Sequence, residues 1–520
     1  GLQMNLMLAG PPGTGKTTLG RLCANLLGYD LVDTDEEISR RTGKSISEIF
    51  SSQGEDIFRD IESNILAEIS KRKNSVISLG GGALLSNINK SIAQANGILI
   101  CLRASEANIR TRLENNDDRP LLQTSPGDSS SISSLLAQRK AHYDSFDLQL
   151  TTDDSNPDVL AKHIVNELMP WHHTVTTNTG GYPLILGVKA LTYLTSMLNN
   201  HGLPKPNLIV SDANIAPLWS NKLGQQLSIP VLSIPDGESH KTLETVQNIY
   251  DQFLLHDLDR GSLVLAVGGG VVGDIAGFAA ATYMRGMRWV NIPTTLLSMI
   301  DASIGGKVGV DLPQGKNMIG AFHPPEMVLA DPEILTTLPD NEYKAGLAEV
   351  IKHGIIADAE LFSLVNSKSL PLSRDLLQKT LEVKINIVQQ DPFERNERAK
   401  LNLGHTIGHG VEAASNYRLR HGEAIAIGLY AEALLAEQIG IADSGLASKI
   451  EKKLTALGLP TKCPGLSTIQ IRQLMSADKK KKSGNLYFTL PTSIGAVEYG
   501  VQVEDKILTK TIERLTKKDR

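Results

Sequence analysis

The sequence predicts an α/β protein of several parts: a parallel sheet with flanking helices, a second α/β unit, and a mainly α-helical third unit. Three observations predict this. Short apolar segments alternate with helical ones up to about residue 168, "VLAVGGGVVGD" later repeats a strand–turn–helix pattern, and long helical periodicity follows Pro339. The length of 520 residues also exceeds one typical domain.

The domain boundaries follow from where the pattern changes. The segment 169–186 interrupts the first strand–helix alternation and starts again with β-forming residues, so we expect domains at 1–170, 174–335 and 336–520. The small polar residues of "QTSPGDSSSISS" (123–134) predict a surface loop. The basic run "DKKKKSG" after Asp478 is typical of a solvated turn.

Composition is that of an ordinary globular protein, with 41% hydrophobic and 21% charged residues. A net charge of −5 gives no electrostatic reason to expect nucleic acid or anionic lipid as a partner. No run approaches the roughly 20 apolar residues that span a bilayer, and the start "GLQMNLMLAG" lacks the basic segment of a signal peptide. Three widely spaced cysteines argue against a disulfide framework. We expect a cytoplasmic enzyme.

The first chemical motif is "GPPGTGKT", which matches the phosphate-binding loop (P-loop) pattern between a strand and a helix. Glycines let backbone N–H groups wrap the phosphates, Lys16 neutralises their charge, and Thr17 offers a hydroxyl to Mg²⁺. The expected nucleotide contacts are Gly13, Thr14, Gly15, Lys16, Thr17 and Thr18.

Other residues indicate the phosphoryl acceptor. "LVDTDEEI" carries Asp33 and Asp35, which on one side of an extended chain would serve the metal and the acceptor hydroxyl. N-capping of a helix by Asp35 is the alternative. Arginines from separate places suggest an acceptor carboxylate, which guanidinium binds in a bidentate manner. Two such arginines suffice for this, and the set is completed by Arg59, Arg119, Arg139 and a triple glycine (80–82) after a strand. Each arginine taken alone is typical of a surface residue.

With these motifs in order, residues 4–168 resemble shikimate kinase over that family's whole length. The resemblance implies a P-loop kinase domain that transfers the γ-phosphate of ATP, with Mg²⁺, to the 3-hydroxyl of shikimate. Lys16 and Asp35 would be catalytic, Thr17 and Asp33 would serve Mg²⁺, and Arg119 would reach the ATP phosphates from a lid. The implied shikimate contacts are Asp35, Arg59, Gly81 and Arg139.

The second unit carries a glycine pattern of dinucleotide-binding type. Gly268, Gly270 and Gly273 follow a strand, but no acidic residue lies about twenty positions later, so a Rossmann-like variant is expected. The acid for the ribose would come from "PDGESHK", which holds Asp236, Glu238 and Lys241. Glycines that serve only tight strand–helix packing are the alternative.

The third unit carries candidate metal ligands. Glu349, Lys352 and His353 share one helical face by spacing. Arg398, Asn402, His405 and His409 follow at intervals of four, three and four, which predicts a polar stripe on one helix. His421 opens a further apolar helix. The glycines in "LNLGHTIGHGVE" predict close approach of another backbone. Spacing alone leaves His405 with His409, or His405 with His421, as equal ligand pairs.

Residues 174–520 resemble 3-dehydroquinate synthase, on "DGESHK", "GGGVVGD", "PTTLLSMIDASIGGKVGV", "GKNMIGAFHPP", "LAEVIKHG", "NLGHTIGHGVE" and "LRHGEAIAIG". The resemblance implies Glu349, His405 and His421 as ligands of Zn²⁺ (or Co²⁺). The implied NAD⁺ contacts are Asp212, Asn214, Asp236, Glu238, Lys241, Gly270, Gly273, Asp274, Thr294, Thr295, Lys307, Lys316 and Thr337. The implied substrate pocket holds Asp301, Lys307, Lys316, Asn317, Lys352, Lys384, Arg398, Asn402, His409 and Lys479 or Lys480. Within that pocket Asp301, Lys352, Arg398, Asn402 and His409 are the catalytic candidates. Arg285 would reach the neighbouring subunit's site, which implies a homodimer.

The implied second reaction converts 3-deoxy-D-arabino-heptulosonate 7-phosphate to 3-dehydroquinate. It is a cycle in which Zn²⁺ polarises the C5 hydroxyl, NAD⁺ takes and returns hydride, and phosphate is eliminated. Both substrates are small molecules. Alternatives are a related sugar-phosphate cyclase or a metal-dependent polyol dehydrogenase in the second half, and a non-catalytic nucleotide-binding module in the first.

Overall fold

The computed structural model describes residues 4–113, 130–153, 155–177, 180–391, 396–477 and 486–517. The chain forms two compact units. The first comprises residues 1–172 together with 187–205, and the second comprises 173–186 together with 206–520. No helix in the described ranges has both the length and the apolar character that crossing a bilayer requires.

The first unit is built on a five-stranded parallel sheet in the order β2-β3-β1-β4-β5. All five residues of the central strand are buried, as expected of a strand covered on both faces. The predicted alternation of short apolar strands with helices up to about residue 168 is confirmed. The strands are β1 Asn5–Ala9, β2 Asp30–Asp33, β3 Ser75–Ser78, β4 Gly97–Arg103 and β5 Gln149–Thr151.

Eight helices among the described residues accompany this sheet: α1 Lys16–Leu27, α2 Thr34–Thr42, α3 Ile46–Ile69, α4 Asn87–Asn96, α5 Glu106–Leu113, α6 Ser130–Asp144, α7 Pro157–His163 and α8 Leu194–Asn200. The surface loop predicted over 123–134 is wrong for residues 130–134, which begin α6; residues 123–129 lie outside the described ranges. Serine is a weak helix former but is tolerated in helices, so the small polar residues at 130–134 did not prevent a helix from forming.

The second unit begins with a seven-stranded sheet in the order β6-β7-β14-β11-β10-β8-β9. Its strands are β6 Trp171–Thr177, β7 Gly180–Leu186, β8 Leu208–Asp212, β9 Val231–Ile234, β10 Leu263–Gly268, β11 Arg288–Pro293 and β14 Met327–Ala330. A separate antiparallel hairpin is formed by β12 Lys307–Leu312 and β13 Gly315–Phe322. The helices of this part are α9 Asn221–Leu227, α10 Leu243–Leu255 and α11 Gly270–Thr282.

The chain after Pro339 is mainly helical, as predicted. Its helices are α12 Asp340–Ala357, α13 Ala359–Leu364, α14 Arg374–Gln390, α15 His405–Ala414, α16 His421–Gln438, α17 Leu446–Ala456, α18 Thr468–Ala477 and α19 Asp505–Thr516. One antiparallel hairpin joins them, formed by β15 Phe488–Ser493 and β16 Ala496–Val501.

Glycines bring α15 and α16 together at backbone distance, as the sequence predicted. A methyl group on Gly428 would lie 1.9 Å from the carbonyl oxygen of Gly404, and one on Gly408 would lie 3.0 Å from that of Ala424. Only glycine allows such an approach. The crossing of these two helices sets the positions of the histidines at their N-terminal ends.

Candidate functional site

The phosphate-loop residues lie between β1 and α1. Gly15 is the N-cap of α1 with φ 92°, a left-handed conformation that favours glycine and lets the loop turn into the helix. The Lys16 ammonium is buried and donates to the carbonyl oxygens of Gly10 and Pro11, both at 2.9 Å. A strand, a glycine turn and a helix N-terminus with a buried lysine form a site suited to phosphate.

Thr17 and Asp33 form a direct pair, in which the threonine hydroxyl donates to Asp33 Oδ2 at 2.7 Å. Asp33 is also the N-cap of α2 and accepts from the backbone N–H of Asp35. Both predictions about Asp35 are therefore wrong in their local structure: it is neither at the end of an extended strand nor the cap. Capping by Asp33 turns the chain into a helix one residue after β2, and Asp35 lies in the first turn of that helix.

The predicted acceptor residues converge on the turn after β3. A single methyl group added to Gly80 would lie 2.8 Å from Asp35 Oδ1 and 3.0 Å from Glu62 Oε1, so both carboxylates lie close to this glycine. Glu62, which the sequence reasoning missed, pairs with Arg59 (Nη1 to Oε2, 2.8 Å) and is 2% exposed. Burial raises the pKa of Glu62, and Arg59 opposes that shift. The i, i+3 spacing of Arg59 and Glu62 was the available signal.

Residues of α6 also contact the turn after β3. The Tyr143 hydroxyl donates to the carbonyl oxygen of Gly81 at 2.7 Å. Burial raises the pKa values of Tyr143 and Glu62, and the positive charge of Arg139 opposes both shifts. This arginine therefore belongs to the same cluster. Thr18 is exposed on α1. Arg119 lies outside the described residues.

The second glycine motif has the predicted strand–turn–helix context. β10 ends at Gly268, Gly269 is the N-cap of α11, and Gly270 is the first helical residue. Thr294 is 1% exposed, and its hydroxyl has no hydrogen-bond partner within the described part of the chain. A buried unpaired hydroxyl beside a glycine turn fits a bound nucleotide. A cavity of about 10 Å³ here is lined by Gly270, Gly273, Asp274 and Lys307, among others.

Two polar clusters flank this turn. Asp212 accepts from the backbone N–H of Asn214 at 2.8 Å, and the Asn214 amide donates to Asp236 at 2.8 Å. Burial raises the pKa of Asp212, and backbone hydrogen bonds oppose that shift.

In the other cluster, the Lys241 ammonium donates to Asp274 Oδ2 at 2.7 Å and to Asn317 Oδ1 at 2.6 Å. Lys316 lies 3.7 Å from Glu238. Burial raises the pKa of Asp274, and Lys241 opposes that shift. These contacts bring five of the predicted residues together, from the segment after β9, from α11 and from the β12–β13 hairpin.

Three further predicted residues of this half make contacts of their own, and Thr295 lies against the glycine turn, with its Cγ2 atom 3.2 Å from where a methyl group on Gly269 would be. Thr337 accepts a hydrogen bond from the indole of Trp219 at 2.7 Å, and sequence reasoning had not singled out that tryptophan. The Thr295 hydroxyl bonds Ser298 at 2.8 Å. Arg285 lies exposed in a turn where both it and Met284 have left-handed backbone conformations (φ 66° and 48°). Non-glycine residues in that region are strained.

The buried face of α12 carries the predicted carboxylate and lysine. Glu349 and Lys352 are 0% and 1% exposed and form an ion pair at 2.5 Å. Lys352 also donates to the carbonyl oxygen of Leu401 at 2.9 Å. Burial alone would raise the pKa of Glu349, but Lys352 and the neighbouring imidazoles hold it well below its usual range.

Two histidines converge on one oxygen of this carboxylate. His405 Nε2 lies 3.4 Å and His421 Nε2 lies 3.2 Å from Glu349 Oε1, and the ligand atoms of the three residues all lie within 4.8 Å of one another. The His405 and His409 rings are 5.2 Å apart, so His409 lies beside this trio. A second trio, His409, Glu412 and His421, meets the same distance limit.

The predicted polar stripe from Arg398 to His409 is wrong as a single helix. Residues Glu397–Asn402 form a short 3₁₀ helix, and Gly404 with φ 78° separates it from α15. The left-handed glycine starts a new helix, so the intervals of four, three and four do not define one face. Asn402 and His409 are both exposed, and the backbone N–H of Arg398 donates to Asp391 at 3.1 Å.

The donor set fits a zinc ion. His405 Nδ1 lies 3.0 Å from the carbonyl oxygen of Leu403, and His421 Nδ1 lies 3.5 Å from Glu412 Oε2. Each imidazole thus has an acceptor behind it and its Nε2 toward Glu349, the usual arrangement of metal-binding histidines. Burial would lower the pKa of His421, but the carboxylates of Glu349 and Glu412 raise it to about 10.

Asp301 and Lys384 form a second ion pair, in which Lys384 is buried and the Asp301 side chain is 34% exposed. The Lys384 ammonium lies 2.5 Å from Asp301 Oδ1 and from the Asp301 carbonyl oxygen. Burial would raise the pKa of Asp301, but Lys384 lowers it to about 2. Burial lowers the pKa of Lys384 in turn, and Asp301 opposes that shift. Lys479 and Lys480 lie outside the described residues.

Comparison with known families gives three matches in chain order. The shikimate kinase family matches residues 12–169, the N-terminal part of 3-dehydroquinate synthase matches 231–345, and its C-terminal part matches 346–481.

Among curated proteins, 3-dehydroquinate synthase of Synechocystis sp. is 42% identical over 329 residues, which cover 60% of this chain and 91% of that relative. The same enzyme of Desulforamulus reducens is 44% identical and covers 62% and 94%. Among solved structures, 2-epi-5-epi-valiolone synthase of Streptomyces hygroscopicus subsp. jinggangensis, with NAD⁺ and Zn²⁺ bound, is 30% identical with a TM-score of 0.59, covering 64% of this chain and 96% of that one.

Proposed function

The chain belongs to the 3-dehydroquinate synthase family and carries a shikimate kinase unit ahead of it, and from that premise we propose how its residues perform the two reactions. The activities are phosphoryl transfer from ATP to shikimate and conversion of 3-deoxy-D-arabino-heptulosonate 7-phosphate to 3-dehydroquinate. We keep the division at 1–170, 174–335 and 336–520 as part of the proposal, together with a cytoplasmic location, which suits three buried free cysteines.

In the kinase unit, Lys16 leaves its loop carbonyls to neutralise the transferred phosphate. Thr17 and Asp33, already paired at 2.7 Å, hold Mg²⁺ directly or through water. Asp35 accepts the proton of the shikimate hydroxyl. Arg59 binds the acceptor carboxylate from a position fixed by Glu62. Arg139 and Gly81 complete the acceptor site, and Arg119 closes it from the lid.

In the synthase half, Glu349, His405 and His421 hold Zn²⁺ (or Co²⁺), and three protein ligands leave a position for substrate. NAD⁺ and the metal, when bound, supply a reversible hydride acceptor and polarisation of the substrate hydroxyl. The nucleotide lies on the glycine turn of α11. The two polar clusters around Asp212 and Lys241 bind it together with Thr294, Thr295 and Thr337.

The remaining charged residues hold the anionic substrate. Its phosphate and carboxylate require several cations, which Lys307, Lys316, Lys352, Lys384, Arg398 and Lys479 supply, with Asn317 as a further polar contact. Asp301 holds Lys384 in the charged state needed for that task. Asn402 and His409 face the substrate beside the metal, where the His409 imidazole takes up or returns a proton.

The observation that carries the synthase proposal is the convergence of two imidazole Nε2 atoms on Glu349 Oε1. The test incubates the full-length protein with heptulosonate phosphate and limiting NAD⁺. We expect one phosphate released per substrate without net NADH. Net NADH formation would identify a polyol dehydrogenase and contradict the proposal.

Two alternatives receive less support. A different sugar-phosphate cyclase is suggested by the fold of the valiolone synthase, but identity to the 3-dehydroquinate synthases is 42–44% against 30%. A kinase unit reduced to a nucleotide-binding module would not need the Arg59–Glu62 pair, which belongs to the acceptor site.

We include a homodimer in the proposal, with Arg285 reaching the partner's site. The turn at Met284 and Arg285 supports this, because two successive non-glycine residues there have left-handed backbone conformations and Arg285 is exposed. Sedimentation of the intact chain should give a dimer, and mixing Arg285→Ala with Lys352→Ala chains should restore one functional site per mixed dimer. Absence of any restored activity would contradict a shared site.

A further inference from the structure

The C-terminal end of α15 carries a carboxylate that the proposed reaction does not use. Glu412 follows His409 by three residues on a continuous helix, so both side chains lie on one face of α15. Its side chain is 15% exposed, and Oε2 lies 3.5 Å from His421 Nδ1. His421 therefore lies between two carboxylates, with Nε2 toward Glu349 and Nδ1 toward Glu412.

The two candidate histidine ligands are supported differently. Behind His405 stands a backbone carbonyl, that of Leu403, which no side-chain substitution removes. Behind His421 stands the Glu412 carboxylate, which a substitution does remove. An acceptor at Nδ1 fixes the tautomer and the ring orientation of a ligand and increases its basicity.

Building on the proposed function, we propose that Glu412 is a positioning residue that holds His421 with Nδ1–H toward its carboxylate and Nε2 toward the metal. Glu412 does not touch the ion. Its carboxylate gives the Nδ1–H group an acceptor that fixes the orientation of the ring.

The other trio at this place gives Glu412 a different role, as a direct ligand with His409 and His421. That arrangement would use His421 through Nδ1 and would leave the fully buried Glu349 without the ion. The convergence of two Nε2 atoms on Glu349 favours the positioning role, and the experiment separates the two.

The experiment measures the Zn²⁺ dissociation constant of full-length variants by competition with a chromogenic chelator. Glu412→Ala should weaken binding about 10- to 100-fold, the usual effect of removing an outer-shell partner. Glu412→Gln should recover part of this, because its amide oxygen still accepts from Nδ1–H. The matched control is Glu342→Ala, which removes a carboxylate bonded to Arg420 just before His421; it should bind zinc as the wild type does.

Two further measurements make the outcome decisive. The absorption spectrum of the Co²⁺-loaded protein should change in Glu412→Ala, while the metal-free variant should unfold at the wild-type temperature. Unchanged zinc affinity in Glu412→Ala, or a loss matched by lower stability of the metal-free protein, would overturn the proposal. Zinc lost from Glu412→Ala but kept by Glu349→Ala would assign Glu412 as a ligand instead. If the proposed zinc site itself is wrong, the variant His405→Ala should retain its zinc.

Discussion

The phosphate-binding loop of the first unit and the carboxylate–histidine cluster of the second are assembled over very different lengths of chain. The loop from Gly10 to Thr17 is one uninterrupted segment that follows β1 and ends in the first turn of α1. The cluster takes Glu349 from α12, His405 from α15 and His421 from α16. A local motif depends on its own residues, whereas the dispersed site depends also on the packing that brings three helices together.

The comparison predicts that changes in the loop act on one activity and leave the other intact. Lys16→Ala should reduce shikimate kinase activity about 10³-fold, because the charge that stabilises the transferred phosphate is lost. Synthase activity of the same preparation should stay within about twofold of the wild type, as expected for a site built from other residues in a different compact unit. Parallel assays check this, and a fall in both activities would contradict the independence of the two sites.

The dispersed site should fail when its packing alone is disturbed. Gly428→Ala places a methyl group against the Gly404 carbonyl and forces α15 from α16. We expect synthase activity and zinc affinity to fall about 100-fold, with an overpacking cost of about 1–3 kcal/mol, and kinase activity to be kept. The matched control is Gly261→Ala, whose methyl group first meets the flexible Asp259 side chain at 3.2 Å. Equal zinc affinity in both variants would contradict the packing account.

The buried face of α12 should make the second unit sensitive to mild acid. Burial, and then the charge of Lys352, lower the pKa of the fully buried His353 to about 4; Glu349 and Asp301 oppose this and Lys384 adds to it. The folded unit therefore resists a proton that the unfolded chain takes up near pH 6.5. This difference contributes roughly 3 kcal/mol to the free energy of unfolding. The contribution is complete above about pH 6.5 and is lost as the pH falls toward 4.

The variant His353→Gln removes this titration and should flatten the decline. Thermal unfolding between pH 4 and 7 measures it, with Lys16→Ala, altered only in the first unit, as the control that keeps the wild-type slope. Identical slopes for the wild type and His353→Gln would contradict the assignment.

Much of both units followed from the sequence because the signals were local. The strand before "GPPGTGKT", the strand before "GGGVVGD" and the helix that begins at His421 are all confirmed. Glycine spacing also predicted the close approach of α15 to another backbone. In each case the residues that carry the signal are those that form the element.

The errors share a physical cause. The stripe from Arg398 to His409 assumed one continuous helix, and a single left-handed Gly404 breaks it. Glu412 was missed because its partner, His421, comes close only after the helices pack. Glu62 has its partner Arg59 one turn away on α3, but the turn at Gly80 that the pair meets comes close only after strands and helices pack. Spacing predicts which residues share a face, but it does not predict what that face meets.

The most direct test of the account is the zinc content of two full-length variants, His405→Ala and His409→Ala, with both activities assayed. We expect His405→Ala to retain less than about a tenth of the wild-type zinc, because one of three ligands is gone. His409→Ala should keep its zinc and lose synthase activity, and both variants should keep kinase activity. Equal loss of zinc from the two variants would contradict the assignment of Glu349, His405 and His421 as the metal site.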